Sequence, residues 1–291
     1  MKRRVVLVDD HDLFLAGVRA ELGEAVEVVG RDSASLSPRD AARGLLLGGL
    51  GAAEIADAVE RTGARVVHAH NVQPSLGWRA LAAARVAGAR VVAHLHNYRL
   101  VCAVGTCFTR GEDCTRCHGR HTLPGVRLNC RGGSRAESAA YAAGLALWQR
   151  RLAGCADAFV VPSAFARARL EALGAPLGGR ARVIGSVQRE FADRSRAAAG
   201  EHALFAGRLA EEKGVRDAIA ACRIAGVPLV VAGDGPLAGE LRAAHPEVRF
   251  TGRVDAPALA GLRARAAVAL DATTGSPAAI ASRAASGRIS W

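Results

Sequence analysis

Short runs of apolar, mostly β-branched residues recur along the chain and are separated by stretches rich in Ala, Arg and Leu. Such runs predict buried strands, and the stretches between them have helical character. The predicted strands are Val5–Val8, Val26–Val29, Val66–His68, Val91–His94, Phe159–Val161, Val183–Ile184, Leu204–Ala206, Leu229–Ala232, Val248–Thr251 and Val268–Leu270. The predicted helices include Ala52–Arg61, Trp78–Ala87, Ala164–Leu173 and Val215–Ala225. Strands that alternate with helices form parallel sheets covered on both faces, so the sequence predicts an α/β protein.

One polar segment of small residues, Glu190–Glu201, interrupts this alternation, and a new series of strands and turns begins after it. We therefore predict a Rossmann-like domain over residues 1–190, a linker over 191–201 and a second Rossmann-like domain over 202–270. The second domain is short for a doubly wound sheet and is predicted to be incomplete. Residues 271–291 are rich in Ala, Ser, Gly and Thr without periodicity, which predicts a disordered tail.

The composition fits two folded domains and adds a strong positive charge. The 291 residues include 39 Lys and Arg against 27 Asp and Glu, a net charge of +12. Such a charge is typical of proteins that bind nucleic acid, phospholipid or nucleotide phosphate. All basic residues except Lys2 and Lys213 are arginines, which indicates compositional bias. Because no basic stretch is interleaved with aromatic residues, we expect no nucleic-acid partner.

Neither a membrane span nor a secretion signal is apparent in the hydropathy pattern. No apolar run has the length that a transmembrane helix needs, and the apolar stretch near the start is too short for a signal peptide. We therefore expect a cytoplasmic protein, with peripheral contact at the inner membrane face left open. In that compartment, seven cysteines indicate free thiols or metal ligands rather than disulfides.

Five of the seven cysteines fall within one segment of 29 residues. They are Cys102, Cys107, Cys114, Cys117 and Cys130. A Cys-x2-Cys pair flanked by two further thiolates can form a closed tetrahedral zinc site, most simply from Cys102, Cys114, Cys117 and Cys130. The segment has little core-forming pattern of its own, so a metal would give it a reason to fold. The alternative is a set of reduced thiols in an acceptor-binding loop.

A loop in the second half has the character of a phosphate site. The sequence FAGRLAEEKG (205–214) follows a predicted strand and leads into a predicted helix. Backbone N–H groups and the helix dipole attract phosphate at such a position, and Arg208 and Lys213 offer a planar fork and a point charge. The alternative is an ordinary loop with exposed charges.

Two more predicted strands in this half end in glycine-rich turns, at Gly233 and Gly235 and at Gly252 and Arg253. Open α/β sheets generally bind ligands at the carboxyl ends of their parallel strands, where glycine lets the ligand approach the backbone. Together with the preceding loop, these turns predict one nucleotide-phosphate site.

The three blocks FAGRLAEEKGV (205–215), VVAGDGPL (230–237) and VRFTGRV (248–254) resemble the donor half of family 4 glycosyltransferases. These are retaining enzymes with the GT-B fold. The resemblance implies that Arg208 and Lys213 hold the diphosphate of a nucleotide-diphosphate sugar and stabilise the departing charge. It also implies a donor site that includes Gly207, Gly233, Gly235, Gly252 and Arg253, and chemistry that requires no cofactor.

The first half resembles the acceptor side of the same enzymes, through VVHAHN (66–71), VVAHLHNYRLVC (91–102) and DAFVVPS (157–163). The resemblance implies that His96 contacts the transferred sugar and that Asn71, Asn97, Tyr98 and Arg99 belong to the acceptor side. The period of two along a strand places His68 with His70, and His94 with His96, on shared faces. We interpret His68, His70 and His94 as strand residues, with a metal-binding histidine pair as the alternative.

The first 30 residues depart from this resemblance. They resemble the start of a response-regulator receiver domain, in which paired acids such as Asp9 and Asp10 bind Mg²⁺. The later strand end that would supply the phosphoaccepting Asp reads VVHAH (66–70) instead, and neither lysine stands where a receiver needs one. We therefore interpret Asp9 and Asp10 as caps of the first turn.

The end of the chain also departs from the resemblance to family 4 glycosyltransferases. After Leu270 the family's donor domain continues with a loop and a Glu that contact the donor, whereas no Glu follows Glu247 here. We therefore expect a truncated enzyme, and loss of groups that orient the sugar lowers the rate.

The expected function is retaining transfer of a sugar from a nucleotide-diphosphate sugar to an unknown acceptor, which is a glycan, a lipid-linked molecule or a small molecule. An active enzyme and one that truncation has inactivated are both left open. The alternative is a non-catalytic nucleotide- or sugar-binding remnant, or a signalling protein related to response regulators.

Overall fold

A computed structural model describes residues 5–9, 26–31, 36–131, 134–185 and 197–270. It divides the chain into two compact units, residues 1–187 and 188–291. Each unit contains a parallel sheet with helices between its strands, so the predicted α/β class is confirmed. Most of the predicted linker, the acid Asp10 and the tail 271–291 lie outside the described residues.

Six parallel strands form the sheet of the first unit. They are β1 (Val5–Asp9), β2 (Val26–Gly30), β3 (Val66–His70), β4 (Arg90–His94), β7 (Ala158–Val161) and β8 (Ala181–Val183). Their order is β2-β1-β3-β4-β7-β8. The second strand is added on one side of β1 and the later strands are added on the other side, as in a doubly wound fold. A short antiparallel hairpin of β5 (Phe108–Thr109) and β6 (Glu112–Asp113) stands apart. The last strand begins before the predicted Val183–Ile184 and ends at Val183.

The helices of this unit are α1 (Pro38–Leu47), α2 (Ala52–Thr62), α3 (Gly77–Val86), α4 (Leu123–Arg127), α5 (Arg135–Cys155) and α6 (Ala164–Ala172). The starts of α1, α5 and α6 are capped by serine hydroxyls, of which Ser163 accepts from the backbone N–H of Ala166 at 3.0 Å. One face of the sheet carries the main core, in which Ile55, Leu81 and Phe159 are fully or almost fully buried. This core fixes the helices against the strands and so positions the loops at the strand ends.

The second unit contains four parallel strands in the order β11-β10-β9-β12. They are β9 (His202–Ala206), β10 (Leu229–Ala232), β11 (Arg249–Gly252) and β12 (Ala266–Leu270), and the helices are α7 (Val215–Ala225), α8 (Ala238–Ala244) and α9 (Ala256–Ala264). Alternate residues of β9 and β10 belong to two different hydrophobic clusters. One cluster contains Phe205 and Val231, and the other contains Leu204 and Val230. Both faces of these strands are therefore covered, which explains their continuous apolar sequence.

In the part of the chain that the structure describes, we find no helix with both the length and the apolar character needed to cross a bilayer.

Candidate functional site

Three strand ends of the second unit are joined by backbone hydrogen bonds. The N–H of Gly207, after β9, donates to the carbonyl of Ala232 at 2.9 Å, and the N–H of Gly233 donates to the carbonyl of Gly252 at 2.8 Å. One step further, the N–H of Leu209 donates to the carbonyl of Asp234 at 2.9 Å. The three turns that the sequence predicts as one phosphate site therefore lie side by side at the carboxyl edge of the sheet.

Two glycines of this edge are required by close backbone contacts. A Cβ at Gly233, whose φ is 143°, would lie 1.9 Å from the carbonyl oxygen of Gly207. A Cβ at Gly235 would lie 2.4 Å from the carbonyl oxygen of Leu209. No side chain fits at these distances, so these glycines let the second turn rest directly on the first. This packing role adds to the donor-binding role that the resemblance implies for them.

The cationic side chains of this edge remain accessible. Arg208 is 64% exposed, and its Nη1 lies 3.4 Å from Oε1 of Glu212. An exposed ion pair contributes about 1 kcal/mol at most, so a phosphate can displace the carboxylate. Lys213 and Arg253 are exposed as well. By contrast, Arg216 is held at 2.9 Å by both oxygens of Glu240.

Lys213 lies immediately before the start of α7. It ends a short 3₁₀ turn, Glu211–Lys213, and Gly214 at φ 62° then turns the chain into the helix. The N-cap residue of α7 is Gly214, and within the described residues the helix start has no side-chain cap. N–H groups at a helix start, the helix dipole and an ammonium group at one place form an environment that stabilises an anion.

Four of the five first-unit residues predicted for the sugar and acceptor line one pocket at the ends of β3 and β4: Asn71, His96, Asn97 and Arg99. Nδ2 of Asn97 donates to Oδ1 of Asn71 at 3.2 Å, and Oδ1 of Asn97 accepts from the backbone N–H of Arg99 at 2.9 Å. Nη1 of Arg99 donates to the carbonyl of Gln73 at 3.3 Å. This network orients amide and guanidinium groups that can bind hydroxyls.

Tyr98 is the exception among the predicted acceptor-side residues. It does not line the pocket but packs against the core, with the guanidinium carbon of Arg169 5.4 Å from the centre of its ring. Burial raises the pKa of the Tyr98 hydroxyl. The structure therefore gives Tyr98 a packing role.

Gln149 lines the same pocket and was not predicted. It lies on α5, is almost fully buried, and donates to the carbonyls of Leu100 at 2.8 Å and Gly119 at 3.0 Å. A single Gln in a helix gives no sequence signal, because its partners are 30 and 49 positions away.

Four histidines cluster at this pocket, which His94 and His96 line: His68, His70, His94 and His96. Nδ1 of His70 lies 2.6 Å from Nε2 of His96, and the rings of His94 and His96 stack with centroids 4.1 Å apart. Burial and the neighbouring histidines lower the pKa of His70 to about 2 and that of His94 to about 4. Both rings are therefore neutral near pH 7.

The structure also brings together ligand atoms for the alternative of a histidine metal site. Within the described residues, three histidines each place one ring nitrogen within 4.8 Å of the other two: His68, His70 and His94. Nε2 of His68 and Nδ1 of His94 are buried and have no hydrogen-bond partner among the described atoms. Neutral imidazoles in this arrangement can ligate a transition metal.

The segment 102–130 encloses a cavity. Cys102, Cys107, Cys114, Cys117 and Cys130 line one cavity, and all seven cysteines of the chain are free thiols. Cys107 is the member that the predicted set of four leaves out. A hydrogen bond from Cys107 lowers the pKa of Cys102 to about 6, whereas burial raises the pKa of Cys117 and Cys130.

A family model described as a glycosyl transferase 4-like domain matches residues 5–186. The chain belongs to this family. The match includes the first two strands, whose sequence resembles a receiver domain. The predicted membership among family 4-like glycosyltransferases is therefore confirmed.

The chain is also similar in fold to a solved structure. HepE of Anabaena, solved in complex with UDP and glucose, is 14% identical and has a TM-score of 0.51, covering 96% of this chain and 78% of its own. AviGT4, a glycosyltransferase involved in avilamycin A biosynthesis, is 17% identical with a TM-score of 0.43, covering 92% and 69%. A search of curated proteins finds no match. The likeness to HepE confirms the predicted GT-B fold.

Proposed function

We propose that this glycosyltransferase transfers a sugar from a nucleotide-diphosphate sugar, with retention of configuration, and that Arg208 and Lys213 hold the diphosphate. One observation carries the proposal. Three hydrogen-bonded strand ends present two accessible cations next to the uncapped start of α7.

The chemistry follows from where charge develops. When the bond between sugar and diphosphate breaks, negative charge grows on the departing oxygen. Cations and N–H groups already oriented toward that oxygen stabilise the transition state more than the ground state. Arg208 would grip two oxygens through its planar fork, and Lys213 would neutralise a third as a point charge. This mechanism requires no metal at the diphosphate.

UDP is the nucleotide to test first. HepE, whose fold the chain shares, was solved with UDP and glucose. A uridine nucleotide and a hexose are therefore the donor components that we propose here.

In the first unit, we assign His96 to the transferred sugar and Asn71, Asn97 and Arg99 to the acceptor side. Their network of amide and guanidinium groups suits the hydroxyl groups of a glycan, a lipid-linked sugar or a small molecule. For a lipid-linked acceptor, the net charge of +12 would favour contact with an anionic inner membrane face.

Calorimetry of the full chain with UDP and a panel of UDP-sugars tests the donor site. We expect the double variant Arg208→Ala, Lys213→Ala to raise the Kd by about 100-fold or more, because two charged contacts are lost. Arg223→Ala, at an exposed arginine in the last turn of α7, is the matched control and should leave the Kd unchanged.

Two results would separate the alternatives. Equal UDP binding by the double variant and the folded wild type would overturn the diphosphate assignment. Donor binding without transfer to any acceptor or to water would instead favour the non-catalytic sugar-binding alternative.

A further inference from the structure

The segment 102–130 surrounds its cysteine-lined cavity with very little regular structure. It contains the two-residue strands β5 and β6 and the five-residue helix α4. The cavity lining combines the five thiols with residues such as Ala103, Gly125 and Leu128. A metal bound by these thiols would add a further link between the parts of this segment.

We propose that this cavity is a structural zinc site with Cys102, Cys114, Cys117 and Cys130 as ligands. Four thiolates complete a tetrahedral shell around Zn²⁺ and leave no position for substrate, as a structural site requires. This proposal is independent of the donor site in the second unit.

Backbone contacts bring the distant parts of the segment to the cavity. The N–H of Cys114 donates to the carbonyl of Cys107 at 2.8 Å across the β5–β6 hairpin, and the N–H of Cys130 donates to the carbonyl of Gly125 at 3.1 Å after α4. Cys102 lies in the loop that follows β4. The cysteines thus arrive from three separate parts of the loop.

The four proposed ligands line the wall of the same cavity. Zn²⁺ binds thiolate sulfur at about 2.3 Å.

A glycine of α4 permits close packing at the cavity wall. A Cβ at Gly125 would lie 2.9 Å from Cβ of Ala103 and 3.8 Å from Sγ of Cys117. Gly125 therefore lets α4 approach both the backbone that carries Ala103 and the Cys117 sulfur.

Cys107 is assigned a supporting role. Its side chain hydrogen-bonds to Cys102 and contacts Arg169, whose guanidinium also pairs with Asp113 at 2.6 Å. An S–H donor to the Cys102 sulfur suits the outer shell of a metal site.

The histidine cluster is the competing metal site. It offers three ring nitrogens within 4.8 Å of one another, one ligand fewer than a closed tetrahedral site needs. Four thiolates bind Zn²⁺ as a closed set, so we commit to the cysteine cavity. Variants of each cluster distinguish the two sites.

Metal analysis of the purified full chain tests the proposal. We expect about one equivalent of zinc in the wild type. The double variant Cys114→Ser, Cys117→Ser should lose it. Cys107→Ser, the control Cys155→Ser outside the cavity and the double variant His68→Gln, His94→Gln should retain it.

Measurements on the wild type cover the case in which the serine variants fail to fold. Replacement of zinc by Co²⁺ should give a thiolate-to-cobalt charge-transfer band. A chelator should raise the number of thiols that react with a disulfide reagent by four. Less than about 0.1 equivalent of zinc, together with no uptake of Co²⁺, would overturn the proposal. Retention of zinc by the cysteine variant with its loss from the histidine variant would overturn it too.

Discussion

Nδ1 of the buried His70 lies 2.6 Å from Nε2 of the exposed His96. One of these nitrogens donates a hydrogen and the other accepts it, so the two rings orient each other. His70 is fixed in β3, whereas His96 lies in the loop after β4. The buried ring therefore holds in place the histidine that we assign to the transferred sugar.

His96→Ala should lower kcat by about 100-fold, because a contact made at the reacting sugar is lost. The Kd for UDP should stay unchanged, since the proposed diphosphate ligands lie in the second unit. Steady-state kinetics and calorimetry on the same sample measure both quantities. His245→Ala, at a histidine near Glu247, is the control. An unchanged kcat in the His96 variant would contradict the assignment.

Arg208→Lys should bind UDP more tightly than Arg208→Ala does, but less tightly than the wild type. Lysine keeps the charge and loses the planar fork that grips two phosphate oxygens. We expect about a tenfold rise in the Kd for the alanine variant. Calorimetric titrations of both variants with UDP measure the difference. Wild-type affinity in Arg208→Lys would show that charge alone is needed.

Gly233→Ala should destabilise the second unit and weaken donor binding together. The new Cβ would lie 1.9 Å from the carbonyl oxygen of Gly207, so the first and second turns must separate. We expect a loss of about 1–3 kcal/mol in the free energy of unfolding. Gly239→Ala in α8 is a matched control, because its Cβ would meet no atom within 4 Å. Urea denaturation compares the two, and equal stability would contradict the close contact.

Asp157 should make the first unit sensitive to acid. Its Oδ2 accepts from the backbone N–H of Val91 and its Oδ1 from Nη1 of Arg85, both at 2.8 Å. Burial raises the pKa of Asp157, but these contacts outweigh it and the net shift is downward. Because the folded-state pKa is lowered, this stabilisation is present above the unfolded-state pKa and is lost as the pH falls through the folded-state value.

Asp157→Asn should therefore cost about 1–2 kcal/mol in the free energy of unfolding near pH 7 and less in acid. Asp57→Asn, at an exposed carboxylate on α2, is the control and should cost little at any pH. Thermal denaturation from neutral to acidic pH measures both variants. A cost that does not fall in acid would show that the carboxylate charge is not the stabilising feature.

Local patterns in the sequence were sufficient to predict the class of fold and the positions of the glycine-rich loops in the second unit. The run LVVA (229–232) followed by glycines predicts both a buried strand and its end, since apolar continuity and glycine turns are properties of neighbouring residues. Parallel pairing then places successive strand ends at one edge of the sheet. The adjacency of Gly207, Gly233 and Gly252 follows from that general rule.

Helix α5 is an element that the local pattern of hydrophobic residues predicts poorly. Its buried residues include Tyr141, Ala142, Gly144 and Leu145, so it is covered around much of its circumference. A helix buried on several sides shows no single apolar stripe, and the periodic signal is lost. The sequence therefore did not single out the element that carries Gln149.

The sequence by itself determined which segments become strands and which residue types stand at their ends, because these depend on neighbours along the chain. Only the tertiary structure decided that His70 meets His96, that Gln149 binds Leu100 and that Cys107 faces Cys102. These partners are brought together by strand register and helix packing, which depend on the whole core rather than on any one segment.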